Sequence, residues 1–364
     1  MNARRIGILT SGGDCSGLNS VIRAAFVRGA ALGYELLGIK RGLCGLAISP
    51  YEHIVMNEQI CCDEMLSRAG SIICSDTNLL STMKRAGKTT ADAKEMVAEG
   101  YKRLSLSGLI CVGGDGSLRI ISELCPPHGD VKVVMIPKTI DNDVSNTDFS
   151  VGFQTSVEVA TAAIENAAST ARSHSRVMVV EVMGRDAGYI ALFAGLAAGA
   201  DVILVPEFKY NLDTVHDKVK QCLSSCKEYC IIVVAESVEA EDFKHERSRT
   251  SGFTEYIKTT YRGIGRHIAH SLSETGIDSR CIVLGHVQRG GRTSVNDRLL
   301  GTMFGVEAVN AIDSGRYGTM LSLVNGRVKT LDFATVVKAP NKSLTKDDPH
   351  VQAAKFLDIY VGEL

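Results

Sequence analysis

The run RRIGILTSGGDCSGLNSVIRAAFVRGAALGYELLGI, residues 4–39, limits the folds open to this chain more than any other stretch. An apolar strand ends in a Gly-rich turn, an amphipathic helix follows and ends near Gly33, and a second strand, ELLGI, comes after it. Strand, crossover helix and strand make a β-α-β unit, which sets the two strands parallel and adjacent. From Asp63 to Gly100 the residues are helix and loop formers, including TTADAKEMVAEG, where Thr90 is expected to cap a helix that stops at Gly100. LSGLICVGGDGS, a helix to Leu124, and VKVVMIPKTIDND then extend the alternation. Four apolar strands separated by helices predict a doubly wound, mostly parallel α/β sheet.

The pattern restarts with the long helix VGFQTSVEVATAAIENAASTARS, a strand in RVMVVEVMGRDAGYIAL and the helix ALFAGLAAGA. DVILVPE, YCIIVVAES and RCIVLGHVQRGG repeat the sequence of apolar strand and polar terminus, so a second α/β domain is expected. A length of 364 residues agrees with two domains at roughly 150 residues each. The charged stretch from Glu239 to Tyr256 reads as a solvated loop leading into a helix, with a functional lid as the other reading.

A net charge of −1 supplies no basic field to recruit nucleic acid. No apolar run of membrane-spanning length and no secretory leader is visible, so the cytosol is expected and a membrane partner is not. The 11 cysteines are scattered, several inside apolar segments, and read as reduced thiols. Cys222, Cys226 and Cys230 recur every four residues and are expected to share one packed helix face. A metal site is the other reading, with no nearby His and no zinc-module spacing in its favour.

In open α/β sheets, ligands bind beyond the carboxyl ends of the strands. TSGGDCSGLN, Thr10 to Asn19, offers Gly12 and Gly13 for close approach of backbone amides to an anion, although a plain tight turn explains it equally well. GGDGS, Gly113 to Ser117, clears room for phosphates at Gly114 and Gly116 and gives Ser117 as a cap or donor. Its Asp115 is a hard oxygen ligand suited to Mg2+, and similar motifs occur in NAD kinases and diacylglycerol kinases. PKTIDND carries the parts that phosphoryl transfer to a hydroxyl requires. Asp141 is the candidate base, Asp143 its companion, Thr139 a hydrogen-bond donor to the phosphoryl group and Lys138 a cation. The bland reading is a turn stabilised by Asp and Asn side chains. Arg176, Arg185, Arg280, His286 and Arg289 add positive charge near strand ends; taken singly each is better explained as half of a surface ion pair, and it is their clustering at strand termini opposite an acidic site that points to phosphate.

LTSGGDCSGLN, GGDGS, PKTIDND, MGRDAGY, VPE and LGHVQRGG occur in the order and at the spacings of the 6-phosphofructokinase family, which the chain resembles over nearly its whole length. The resemblance implies two Rossmann-like domains with the active site in the cleft between them. It assigns residues 1–152 and about 288–338 to the phosphoryl donor, and 153–287 and about 339–364 to fructose 6-phosphate. Asp141 then matches the base that deprotonates the sugar 1-hydroxyl, with Thr139 and Arg185 stabilising the transferred phosphoryl group. Gly13, Gly114, Gly116, Ser117 and Lys138 fall at the donor site, and Asp115 and Asp143 match the acids linked to Mg2+. Met183, Gly184, Glu236, His286 and Arg289 match the sugar phosphate pocket. Arg176 and Arg280 match positions that reach the 6-phosphate, one of them across a subunit interface, which implies a homo-oligomer, a tetramer or a dimer.

The donor is split between two signals. Family members that use ATP commonly have Gly at position 116, where an Asp carboxylate would crowd and repel the α-phosphate. Lys138 stands where pyrophosphate-dependent members carry Lys, although some ATP-dependent members carry it too. ATP is therefore the expected donor and pyrophosphate the alternative, with sedoheptulose 7-phosphate an alternative acceptor. GSIICSDTN lacks the Arg that bacterial ATP enzymes place near Asp76 or Thr77, and Lys138 is expected to replace that charge. Of the arginines of the bacterial effector site Arg23 has a match, whereas Val27 and Ala168 occupy two other positions, so little response to ADP or phosphoenolpyruvate is expected.

Overall fold

The computed structural model describes residues 4–76, 78–239 and 263–363. Thr77 and all but the first residue of the charged stretch Glu239 to Tyr256 lie outside the described residues. The chain divides into two compact units, Met1–Ser156 with Arg289–Lys342, and Val157–Gln288 with Ser343–Leu364.

The first unit contains β1 (Arg4–Thr10), β2 (Tyr34–Ile39), β3 (His53–Val55), β4 (Leu106–Gly113) and β5 (Val133–Pro137), joined by β10 (Thr319–Val324) and β11 (Arg327–Asp332) from the returning chain. They form one sheet in the order β11-β10-β5-β4-β1-β2-β3. The inner pairs are parallel, and only the edge pairs β2 with β3 and β10 with β11 are antiparallel. Ile6, Ile8 and Leu9 of β1 and Leu109 to Val112 of β4 are fully buried, as near-continuous apolar strands covered on both faces must be. The helices Leu18–Ala31 and Val295–Asp313 pack against each other. Asp297, near the start of the second, is buried and accepts hydrogen bonds from the backbone amides of Gly152 and Thr155 and from the Thr155 hydroxyl, at 2.6 to 2.8 Å.

Two local expectations change. Thr89, not Thr90, caps the helix Thr90–Arg103: its hydroxyl accepts from the Asp92 amide while the Asp92 carboxylate accepts from the Thr89 amide. That helix also runs through Gly100 instead of stopping there, because the glycine sits where the helix crosses Gly42–Ala47. A Cβ at residue 100 would lie 1.8 Å from the Leu46 carbonyl oxygen. Gly100→Ala is accordingly expected to destabilise the protein by about 1–3 kcal/mol through overpacking, despite about 1 kcal/mol of gained helix propensity. A thermal melt with unchanged Tm would contradict this.

The second unit holds β6 (Val177–Val182), β7 (Val202–Leu204), β8 (Cys230–Ala235) and β9 (Ser279–Val283), all parallel, in the order β7-β8-β6-β9. The expectation of one helix face bearing Cys222, Cys226 and Cys230 fails. The helix Leu212–Ser224 ends after Cys222, Cys226 lies in an exposed turn, and Cys230 opens β8. The run SSCKEY interrupts it, with Glu228 in the left-handed region at φ 58°. All the cysteines are free thiols. Among the described residues no helix is long and apolar enough to cross a membrane.

Candidate active site

In the first unit the loops after β1, β4 and β5 lie side by side, because those strands are neighbours in the sheet. Lys138 ties the three together. Its backbone amide donates to the Gly113 carbonyl at 3.0 Å, and its Nζ donates to the Gly13 carbonyl at 2.5 Å. The side chain is only 2% exposed, and burial pushes its pKa below the usual lysine value against the opposing pull of Cys15. Arg289 lies on the other side of the same turn and donates from Nη1 to the Asp14 carbonyl at 3.0 Å. It packs so closely on Gly13 that a Cβ there would come within 2.5 Å of the guanidinium.

The loop after β4 enters the helix Asp115–Leu124 directly. Ser117 is buried in its first turn, whereas a Cβ on Gly116 would meet no atom within 4 Å. The helix start is thus open at residue 116, with backbone amides and the positive end of the dipole there.

Residues 139–143 form a tight loop whose middle residue, Asn142, takes the left-handed conformation at φ 53°. Its side chain accepts from the Ser150 amide at 3.1 Å and donates to the Asp148 carbonyl at 3.3 Å, so the amide of the DND run is the turn-former. That bend separates the flanking acids. The Asp141 amide donates to the Thr139 hydroxyl at 3.1 Å, and that hydroxyl lies 3.3 Å from the Asp141 carboxylate. Asp143 accepts from the Asn341 amide group at 3.4 Å, while its carbonyl accepts from the Lys342 backbone amide at 2.8 Å.

The donors around Asp115 and Asp143 suit a hard cation. The Asp115 carboxylate takes Arg119 Nε at 3.1 and 3.2 Å, and Arg119 reaches Asn341 Oδ1 at 3.5 Å, which links it to Asp143. Among the described residues these acids do not converge into a set of three ligands. Mg2+, which keeps phosphate oxygens and water in its shell, needs only one or two carboxylates.

In the second unit, MGRDAGY follows β6. Gly184 at φ 155° and Arg185 at φ 53° turn the chain sharply, and a Cβ on Gly184 would meet the Ala187 carbonyl oxygen at 2.3 Å. Glu236, just past β8, accepts from the Arg185 amide at 3.1 Å, which leaves the exposed guanidinium beside Asp186. His286 is exposed in the turn Gly285–Arg289. Gln288, whose place in LGHVQRGG signals no role by itself, is buried. It accepts from the Met183 amide at 3.3 Å and donates to the Gly285 carbonyl at 3.0 Å, so it fixes Met183 against the His286 turn. Glu207 of VPE accepts from Gly188 at 3.0 and 3.1 Å and from Leu344 at 3.2 Å, which anchors the far end of MGRDAGY; burial raises its pKa.

Arg176 and Arg280 are not brought to these residues. Arg176 precedes β6 and Arg280 is the second residue of β9, at the amino ends of strands whose carboxyl ends carry Met183 and His286. Both pair with Asp278, at 3.3 and 2.6 Å. Roughly 20 Å of strand lies between them and Arg185.

The phosphofructokinase family model matches residues 5–312. An ATP-dependent 6-phosphofructokinase 1 of Nostoc sp. is 41% identical over 99% of both chains. A pyrophosphate–fructose 6-phosphate 1-phosphotransferase of Dictyoglomus thermophilum is 33% identical over 94% of this chain and 96% of its own. The solved phosphofructokinase of Pichia pastoris is 25% identical and superposes with a TM-score of 0.80 over 99% of this chain, which spans 37% of the yeast chain. With family signatures at the ends of its parallel strands and a match running almost end to end, the chain belongs to the phosphofructokinase family.

Proposed function

We propose that this protein is a 6-phosphofructokinase that transfers the γ-phosphoryl group of ATP to the 1-hydroxyl of fructose 6-phosphate, giving fructose 1,6-bisphosphate and ADP in cytosolic glycolysis. The observation that carries the reading is the alignment of the Gly12–Gly13, Gly114–Ser117 and Lys138–Asp143 loops on three neighbouring strands. In-line attack forms the bond from the sugar oxygen to the γ-phosphorus and breaks the bond to the β,γ-bridging oxygen, while the hydroxyl proton passes to Asp141. Thr139 accepts from the Asp141 amide, and its one hydroxyl proton, directed at the Asp141 carboxylate here, turns to the moving phosphoryl group during transfer. Arg185 adds positive charge. Asp115 and Asp143 would hold Mg2+, which when bound neutralises charge on the donor phosphates. The donor lies against Gly13, Gly114, Gly116 and Ser117. Met183, Gly184, Glu236, His286 and Arg289 bind the sugar phosphate. Arg176 and Arg280 stand too far along their strands to join them, which supports a homo-oligomer in which such arginines serve a neighbouring copy.

The open space at Gly116 favours ATP. One observation favours pyrophosphate as a second reading: the buried Lys138 ammonium is where a compact donor would be held. Lys138→Met tests the contribution of that charge. Methionine keeps the length and most of the volume of the stem and gives up the Nζ bond to the Gly13 carbonyl, so the fold is expected to survive, while turnover falls by about 10²-fold, a usual loss when one electrostatic contact to a transition state is removed. An unchanged turnover number would restrict Lys138 to bracing the Gly13 turn. Coupled detection of ADP and of fructose 1,6-bisphosphate with purified protein tests the reaction itself, and sedoheptulose 7-phosphate in place of fructose 6-phosphate tests the acceptor.

A further inference from the structure

The second unit holds a side-chain cluster that phosphoryl transfer does not use. Asp201 lies just before β7, Cys230 opens β8, and Cys222 is near the end of the helix Leu212–Ser224. One carboxylate oxygen and the two Sγ atoms lie within 4.8 Å of one another. A tetrahedral ion with metal–sulfur and metal–oxygen bonds of about 2.3 and 2.1 Å sets its sulfurs about 3.8 Å apart and sulfur from oxygen about 3.6 Å. The cluster is therefore close to the size of such a coordination shell.

We propose that Asp201, Cys222 and Cys230 form a binding site for a divalent cation of the Zn2+ class. Both cysteines are buried, which shields a metal–thiolate bond from water, and Asp201 is half-buried. The two thiols hydrogen-bond to each other, which pulls the Cys222 pKa down and pushes that of Cys230 up. The carboxylate is oriented by the Ile231 amide, which donates to Oδ2 at 2.9 Å. Outer contacts of this kind fix a metal ligand in place.

Lys227 lies at the anionic end, with Nζ at 2.6 and 2.7 Å from the two Asp201 oxygens. The ammonium also lies 4.7 Å from the centre of the Tyr229 ring, a second resting place once a metal displaces it. Three protein ligands leave the fourth position to water. The cluster sits at the amino ends of β7 and β8, the opposite strand ends from Glu236, so its role is to pin the end of a helix to the sheet.

The test is titration of chelator-stripped, fully reduced protein with Cd2+ alone, reading thiolate-to-metal charge-transfer absorption and Tm. One tight equivalent is expected, with a raised Tm. Cys222→Ser and Cys230→Ser should lose the band, and Asp201→Asn, which removes a ligand, should weaken binding by at least about 10-fold, since metal sites lose that much when only a partner of a ligand is removed. Cys62→Ser, an exposed cysteine elsewhere, should change nothing. Binding releases thiol protons, so affinity falls as pH falls. Absence of a band in the wild type at stoichiometric Cd2+ overturns the site whether or not the variants fold. A wild-type band undiminished in both Cys222→Ser and Asp201→Asn overturns it equally.

Discussion

Asp141→Asn is expected to lower turnover by at least about 10²-fold, the usual contribution of a positioned general base, with Tm and fructose 6-phosphate binding close to those of the wild type. The two side chains have the same shape, so the loop has no steric reason to move. The Asp141 backbone amide still donates to the Thr139 hydroxyl, and an asparagine carbonyl oxygen still accepts from that hydroxyl. The negative charge is removed, and with it the capacity to take a proton. The sugar hydroxyl would then have to lose its proton to water or after bond formation, so the loss belongs in kcat and not in KM. Single-turnover rates, together with calorimetric binding of fructose 6-phosphate, separate the two. Near-normal turnover would remove Asp141 from the role of base.

Gly116→Asp is expected to abolish most ATP-dependent activity while leaving the fold intact. The protein offers no obstacle to the new side chain, since a Cβ there meets nothing within 4 Å, and a carboxylate in the first turn of a helix is favourable. The nucleotide meets the obstacle. A carboxylate about 5 Å from a phosphate repels it by roughly 3 kcal/mol at an effective dielectric constant near 20, or about 10²-fold in kcat/KM for ATP. Pyrophosphate has no α-phosphate to be repelled, so its use should fall less. ATP kinetics unchanged in the variant would mean the nucleotide does not pass residue 116.

The strands that carry the site were legible because each is an apolar run closed by glycine or by charge, and β1, β4, β5, β6, β8 and β9 all stand where such runs occur. The β10–β11 hairpin was passed over, although its turn, Val324-Asn325-Gly326-Arg327, carries the Asn-Gly pair favoured where two successive residues have positive φ, here 51° and 74°. β3 has only three residues and is too short for a period to show. Gly100 misled because a glycine that ends a helix and a glycine that lets two helices touch look alike until the partner, Leu46, is known.

Within the site, residue types were legible and their surroundings were not. The Lys-Thr-Ile-Asp-Asn-Asp run displays its acids, but nothing local says that Asn142 is the bend or that Lys138 is buried against Gly13. Those facts depend on Ser150 and on the β1 turn, 125 positions away from Lys138 in the second case. Arg176 and Arg280 look like other strand-end arginines, because one residue says little about which end of a strand it marks. Gln288 went unremarked because a buried amide between two backbone groups has no signature of its own.

The most direct measurement compares initial rates of fructose 6-phosphate phosphorylation by the purified protein with Mg2+ and either ATP or pyrophosphate at matched concentrations. Activity with ATP and little with pyrophosphate is the predicted result, with Gly116 deciding the donor and Lys138 adapted to a nucleotide. Activity with pyrophosphate alone would contradict it and make the buried lysine, not the open helix start, the determinant of donor choice.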